Sequence, residues 1–275
     1  MSTPTGRARE LGANLRFFRE RSEWSEKKAA AYLEISQGQL CRIEQGIRTV
    51  SETNVARALT LYGVRGDELT ETLALATEVN DRYRIRPHHD KLPDELRTLI
   101  HHETTASYID SYQLSLIPGL LQTEGYAREL LTWGGQFEAD GVELRVRARM
   151  ERQLLLRERR RPSFRFFIHE SALTPAIISP EIMHDQWMAL MFASSLPNCE
   201  PRIVPAEVPN GVFGGPFLFL RYAGYHPTVC VENCTTSAFL EDPADLLHYT
   251  AIVNKLASLA LSAEESHRRF VRLAT

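Results

Sequence analysis

Between Ser25 and Gly46 the chain reads Ser25-Glu26-Lys27-Lys28-Ala29-Ala30-Ala31-Tyr32-Leu33-Glu34-Ile35-Ser36-Gln37-Gly38-Gln39-Leu40-Cys41-Arg42-Ile43-Glu44-Gln45-Gly46, and this stretch constrains the fold more than any other. Apolar residues recur at helical spacing, Ser36 is placed to cap a second helix, and Gly46 is placed to end it. The pattern predicts two short helices joined by a tight turn. Ala29 and Ala30 let the backbones approach closely, and Leu33, Ile35, Leu40 and Ile43 supply the apolar contacts that set the crossing. Left on the outer face of the second helix are Gln37, Gln39 and Arg42, whose donors and acceptors suit base edges.

The flanks complete a bundle. A helix over 9–21 turns Leu11, Leu15 and Phe18 inward and leaves Arg16 and Arg19 for Glu44 or for DNA phosphate. A fourth helix, capped at Ser51, buries Val55, Leu59 and Tyr62, and a fifth follows Gly66-Asp67 with Leu69, Leu73 and Leu75 or Ala76 closing the core. These residues resemble the XRE (lambda-repressor-like) helix-turn-helix domain, whose pattern is met at Ser25, Ala30, Leu33, Ser36, Leu40, Ile43, Glu44 and Gly46. Two positions depart from it. Glu26 stands where Gln is usual, and Glu34 replaces the turn glycine, so a residue with a Cβ must adopt a glycine-like conformation. In such a domain the start of the second helix enters the major groove. Gln37, Gln39 and Arg42 are then expected to contact bases, Lys27, Lys28 and Arg48 to contact phosphates, and Ser36 and Gln45 to complete the DNA-facing set.

A chain of 275 residues, 43% hydrophobic, is long and apolar enough for two cores. Residues 1–66 hold 11 of the 32 Lys/Arg and 7 of the 35 Asp/Glu, leaving 21 and 28 to the remainder. A mildly basic head on an acidic body is the charge distribution expected of a small phosphate-seeking module. No apolar run is long enough to span a membrane and the N-terminus lacks a signal-peptide core, so a cytoplasmic, nucleoid-associated protein is expected. Four scattered cysteines do not suggest a disulfide framework.

Residues 1–79 are therefore assigned to the helix-turn-helix domain, 80–94 to a charged, proline-containing linker in which Arg82, Arg84 and Arg86 are solvated or touch the DNA backbone, and 95–275 to a second domain. That domain reads as mixed α+β with one modest sheet: helices over 94–105, 123–132, 139–158, 180–195, 242–260 and 263–273, and strands over 164–169, 201–204, 216–222 and 228–231. It too carries a resemblance. Ile117-Pro118-Gly119-Leu120-Leu121-Gln122-Thr123-Glu124-Gly125-Tyr126-Ala127-Arg128, then Arg149-Met150-Glu151-Arg152-Gln153 with Leu156, His169-Glu170-Ser171-Ala172-Leu173, Ile203-Val204-Pro205 and Gly215-Pro216-Phe217 resemble the antitoxin-like regulatory domain of WhiJ-type bacterial regulators. Thr174 departs from an Arg common in that family. The resemblance implies a partner protein, small and encoded nearby.

Candidate chemistry is sparse. No phosphate-binding glycine loop, G-x-S-x-G or H-E-x-x-H occurs, so no catalytic residue is assigned and an enzyme is not expected. His169-Glu170 ends a predicted strand, where neighbours point to opposite faces. His226, Cys230 and Cys234 would share a helix face, but their surroundings read as strand, which spreads them over more than ~13 Å; with His88-His89 and His101-His102 also lacking a site spacing, neither metal nor cofactor is expected. Leu120, Leu121, Gln122 and Tyr126 either dock a helix on the core or, with Arg152, form a partner- or effector-binding surface. Eight arginines between 145 and 161 surround a stripe of Val142, Val146, Met150 and Leu154 and read as a solvated face, or as a contact for DNA or an acidic partner. The aromatics Phe213, Phe217, Phe219, Tyr222 and Tyr225 fill the core or line a ligand cavity.

The expected function is a sequence-specific transcriptional regulator on double-stranded DNA, with a palindromic operator and a C-terminal domain that dimerises and receives a protein or small-molecule signal. The alternative is an antitoxin-like module that neutralises its partner and autoregulates its own locus. A homodimer is expected, formed through Leu246, Tyr249, Val253 and Leu256 on the late helices or, if those are core, elsewhere on the body.

Overall fold

A computed structural model of the protein describes residues 5–77, 83–87, 93–157, 162–233 and 236–275. The chain forms two compact units, Met1–Tyr83 with Gly224–His226, and Arg84–Ala223 with Pro227–Thr275.

The first unit holds α1 (Gly6–Arg21), α2 (Glu26–Tyr32), α3 (Gln37–Glu44), α4 (Glu52–Leu61) and α5 (Asp67–Thr77). The first four start at hydroxyl caps: Thr5, Ser25, Ser36 and Ser51 accept the backbone N–H of Ala8, Lys28, Gln39 and Asn54. Each such cap stabilises its helix by ~1 kcal/mol. Leu15, Phe18, Ala29, Leu40, Val55 and Leu59 form the centre of the core, as the helical spacing requires. Glu34 lies between α2 and α3 at φ 58°, so the departure from glycine is met by placing a glutamate in the left-handed region.

The second unit contains β1 (Tyr83–Pro87) beyond its first residue, α6 (Pro93–Thr105), β2 (Tyr108–Gln113), α7 (Glu124–Gly134), α8 (Ala139–Arg152), β3 (Ser163–His169), α9 (Pro180–Ala193), β4 (Cys199–Val204), β5 (Phe217–Tyr222), β6 (Tyr225–Glu232) beyond its first two residues, β7 (Thr236–Leu240), α10 (Pro243–Leu259) and α11 (Ala263–Ala274). One mixed sheet runs in the order β1-β7-β6-β5-β2-β3-β4. The inner strand β2 is parallel to β3 and antiparallel to β5, β3 is parallel to β4, and β6 is antiparallel to β7. In the middle of β2, buried Asp110 accepts from Arg165 Nε at 2.7 Å and from Arg221. Burial pushes its carboxyl up and the two guanidinium groups pull it back only in part.

The mixed α+β domain and its single sheet are as expected, but the sheet is larger than the four strands read from sequence. Inside the segment 80–94, taken as linker, residues Tyr83–Pro87 form β1 and Pro93 opens α6; Arg82 and His88-His89 lie outside the described residues. Dimerisation through the late helices is also corrected. Val253 and Leu256 of α10 are buried with Ile252 against Val204, Phe217 and Val229, and Leu246 and Tyr249 pack on the same cluster. Tyr249 meets Phe217 edge-on at 4.9 Å between ring centres. This stripe is used up inside the chain's own core. Among the described residues no helix is long and apolar enough to cross a membrane.

Candidate functional site

The outer face of α3 is held from behind. Arg19 on α1 makes a two-pronged bond to Glu44, Nε to Oε1 at 2.7 Å and Nη2 to Oε2 at 2.9 Å, and its Nη1 donates to the Trp24 carbonyl at 3.0 Å. Both partners are buried. The hydrogen-bonded Glu44 raises the Arg19 guanidinium further above its ordinary range, so Arg19 keeps its charge. Close approach depends on two glycines. A Cβ at Gly12 would lie 2.4 Å from the Ile43 carbonyl oxygen, and Gly46, at φ +70°, would bring one to 2.6 Å from Arg9 Cα. Arg19 is thus committed to Glu44 rather than to phosphate, while Arg16 stays exposed and pairs with Glu20 at 2.8 Å.

Three base-reading candidates were read from sequence, and the structure treats them differently. Gln39 closes a capping box: its Oε1 accepts from Ser36 N at 3.0 Å, and Ser36 Oγ accepts from Gln39 N at 3.1 Å. Its acceptor is committed to the helix start, so a two-point contact with adenine would require opening the cap. Gln37 is exposed and its Nε2 donates to Glu26 Oε2 at 3.0 Å, which leaves its own acceptor outward. Arg42 is exposed, with Nε donating to the Gly38 carbonyl at 3.1 Å; that bond steadies the stem and leaves the terminal nitrogens toward solvent. Lys27, Lys28 and Arg48 are exposed around the ends of α2 and α3, as is Gln45, whose Nε2 donates to Cys41 Sγ at 3.2 Å. Glu26 was noted only as a departure. Its role as the residue that orients Gln37 was not read, although the acid in place of a family Gln was the signal.

In the body, Leu120, Leu121 and Tyr126 are buried, so the exposed apolar surface considered for them is corrected. They seat a tight turn, Gly119–Leu121, whose follower Thr123 caps α7 by accepting from Tyr126 N at 3.2 Å. Gln122, also buried, is a junction: its Nε2 donates to the Ile117 carbonyl at 2.7 Å, its Oε1 accepts from Arg149 Nη1 at 2.6 Å, and its carbonyl accepts from Gln153. Arg152 is bonded twice to buried Glu103, at 3.0 and 2.6 Å. The solvated arginine face is therefore corrected in part. Arg147 and Arg157 are exposed, Arg149 and Arg152 turn inward, Arg145 lies over the Phe137 ring, and Arg159, Arg160 and Arg161 lie outside the described residues.

The remaining chemical candidates are structural. His169 is buried between the Val208 carbonyl at 2.9 Å and Ser171 N at 3.2 Å, while Glu170 holds Arg269 and Ala206 N. Burial pushes the Cys199 thiol up to about 12, which leaves it unreactive at neutral pH. No cluster of three or more metal-ligating side chains occurs among the described residues; Cys234 lies outside them.

Residues 96–272 match the family described as a domain of unknown function, DUF5753. The chain belongs to this family. The DUF5753 region thus takes in the sheet from β2 onward, the Gln122 junction and helices α7 to α11. Residues 10–73 match a helix-turn-helix domain, which covers the capped α2–α3 pair and supports DNA-binding transcriptional regulation. Among solved structures, the chain is similar to the clp gene regulator ClgR from C. glutamicum, at 27% identity over 27% of this chain and 95% of that one, with a TM-score of 0.23. No curated protein matches.

Proposed function

We propose that the protein is a homodimeric, XRE-type transcriptional regulator that reads a palindromic operator through α3 and acts by binding rather than by catalysis. The observation that carries this reading is the display of Gln37 and Arg42 on an exposed, doubly capped helix held by the Arg19–Glu44 pair. Gln37 reads adenine, Arg42 reads guanine, and Lys27, Lys28 and Arg48 bind phosphates beside them. Gln39 is reassigned to holding the helix start, with Ser36; Gln45 flanks the interface. A single head covers only ~600–1,000 Å² of DNA, so two heads on a two-fold site are needed for tight binding. The DUF5753 region supplies dimerisation and reception of a signal, and its resemblance to WhiJ-type regulators favours a cytoplasmic, nucleoid-associated protein with a small partner encoded nearby.

A genome-wide binding map of the full chain tests the reading, followed by titration of the recovered site. Arg42→Ala should weaken specific binding by ~1–3 kcal/mol and relax one base position, whereas Lys28→Ala should lower the salt slope by about 1 without changing the preferred sequence. Equal affinity of Arg42→Ala and the parent for that site would overturn the base-reading assignment.

A further inference from the structure

The body contains a cleft of about 360 Å³ that opens between the Gln122 junction and the sheet. Phe166 of β3, Leu218 of β5 and Leu116 supply apolar walls, and the polar lining includes Ser111, Arg149 and Arg152. Arg152 is neutralised within the protein by its two bonds to Glu103. Arg149 is not. Its described bond is to a neutral amide oxygen, that of Gln122, and the carboxylate nearest in influence, Glu232, sits exposed at the rim. Burial, with Arg152 beside it, pulls the Arg149 guanidinium down to about 10, so it still carries its charge at neutral pH. A second group in the same cleft is also unsatisfied. Ser111, fully buried on β2, has an Oγ with no hydrogen-bond partner among the described residues.

Buried hydroxyls are normally bonded and partly buried guanidinium groups normally meet a carboxylate or phosphate. Here one of each lines an amphipathic cleft of the size that takes a small molecule. We propose that this cleft binds a small organic anion, its carboxylate or phosphate oxygens against Arg149 and Ser111 and its apolar part against Phe166, Leu218 and Leu116. The head group satisfies both unmet donors at once, and the apolar walls select a molecule with a short hydrocarbon or aromatic body over a bare ion. The site deepens the reading of the DUF5753 region as a signal receiver by naming the chemical class of the signal, and it joins that signal to Gln122, the residue that ties α8 to the Ile117 turn.

Calorimetric titration and thermal melts of the full chain decide the matter, with octanoate and octyl phosphate as the two anionic probes and octanol as the neutral control. Either anion should bind saturably and raise the melting temperature, and octanol should bind about tenfold more weakly or worse. Arg149→Met should weaken the anion by about ten- to a hundredfold while leaving octanol unaffected. Because loss of the bond to Gln122 can loosen the turn, Leu116→Trp serves as the second variant: it keeps Arg149 and Gln122 and should block all three probes. Octanoate against octyl phosphate separates the carboxylate from the phosphate source. Equal binding of octanol and the anions, undiminished anion binding by Arg149→Met, or no saturable binding of either anion at millimolar concentration would each overturn the site. Operator affinity measured with and without the bound anion is a separate readout; if it does not change, the site stands and the signal-receiving reading falls.

Discussion

Among the described residues, a buried arginine–glutamate fork occurs in each unit, and the two are put to different uses. In the head, Arg19 and Glu44 are buried and span α1 and α3, with the Trp24 carbonyl bonded to the remaining prong and the exposed Glu20 and half-buried Glu26 close by. In the body, Arg152 and Glu103 make the same two bonds, but the pair forms part of a cleft wall and sits beside Arg149, whose described hydrogen bond is to the neutral Gln122 amide. A fork within the core rigidifies what lies in front of it. An open fork beside a second cation makes a place where something else can bind.

That contrast predicts unequal responses to the same substitution. Glu44→Ala should cost ~3–5 kcal/mol in urea unfolding of the head, because a buried guanidinium loses both prongs of its carboxylate and keeps the longer contacts to Glu20 and Glu26, at 3.6 and 3.9 Å; replacing both partners with apolar residues should restore much of the loss. Glu103→Ala should cost less, ~2–3 kcal/mol, because water in the cleft can reach Arg152. Equal losses would mean that the cleft is no more open than the head core. Gly12→Ala, which pushes α3 off α1, should cost ~1–3 kcal/mol and weaken DNA binding beyond its effect on stability, as measured on the folded fraction.

The smallest expected effect sharpens the picture of the head as a closed body. Tyr62 is buried, its hydroxyl has no hydrogen-bond partner among the described residues, and burial raises its phenol to about 12, with Glu44 adding to the shift. A folded pKa above the unfolded value of ~10 means the contribution is fully present below pH ~10 and is lost as pH rises toward 12. Tyr62→Phe should change stability by less than ~0.5 kcal/mol at pH 7 and remove this part of the alkaline loss, read by thermal melts across that pH range. A loss well above that at pH 7 would show that the hydroxyl has a bound water.

The head was nearly all legible because its determinants are local: caps, helical spacing and the Ile43-Glu44-Gln45-Gly46 ending sit within a few residues of what they fix. Gln39 was the exception, since the same side chain suits a base edge and a capping box, and only coordinates show which one holds it. The body was legible in its helices and poorly legible in its sheet. β2, which lies inside the sheet, was missed because Asp110 and Ser111 are poor strand formers, and the arginines that make Asp110 tolerable lie 55 and 111 residues away. β1 was read as linker because Arg84, Arg86 and Pro87 are also what an edge strand uses to discourage further pairing. Arg149 and Arg152 read as solvated because arginines on an amphipathic helix usually are, and the groups that draw them inward, Gln122 and Glu103, lie 27 and 49 residues away. The α-helix ends at Arg152 and continues as a tighter turn, Gln153–Leu156; Leu154 of the expected stripe is exposed and the two arginines lie inside.

The strand order also sets a timetable for synthesis. The head core is complete once Leu75 has been made, whereas the β2–β5 ladder pairs Tyr108 with Arg221 and cannot form until the chain beyond β5 has left the ribosome. At bacterial-like elongation rates of roughly 5–20 residues per second that gap is on the order of ten seconds. During it the nascent protein can carry a finished DNA-reading surface while its β-sheet is still unmade. Any control that the cleft exerts therefore begins later in the life of each molecule than the capacity to bind an operator, and cotranslational occupancy of nearby DNA would escape it.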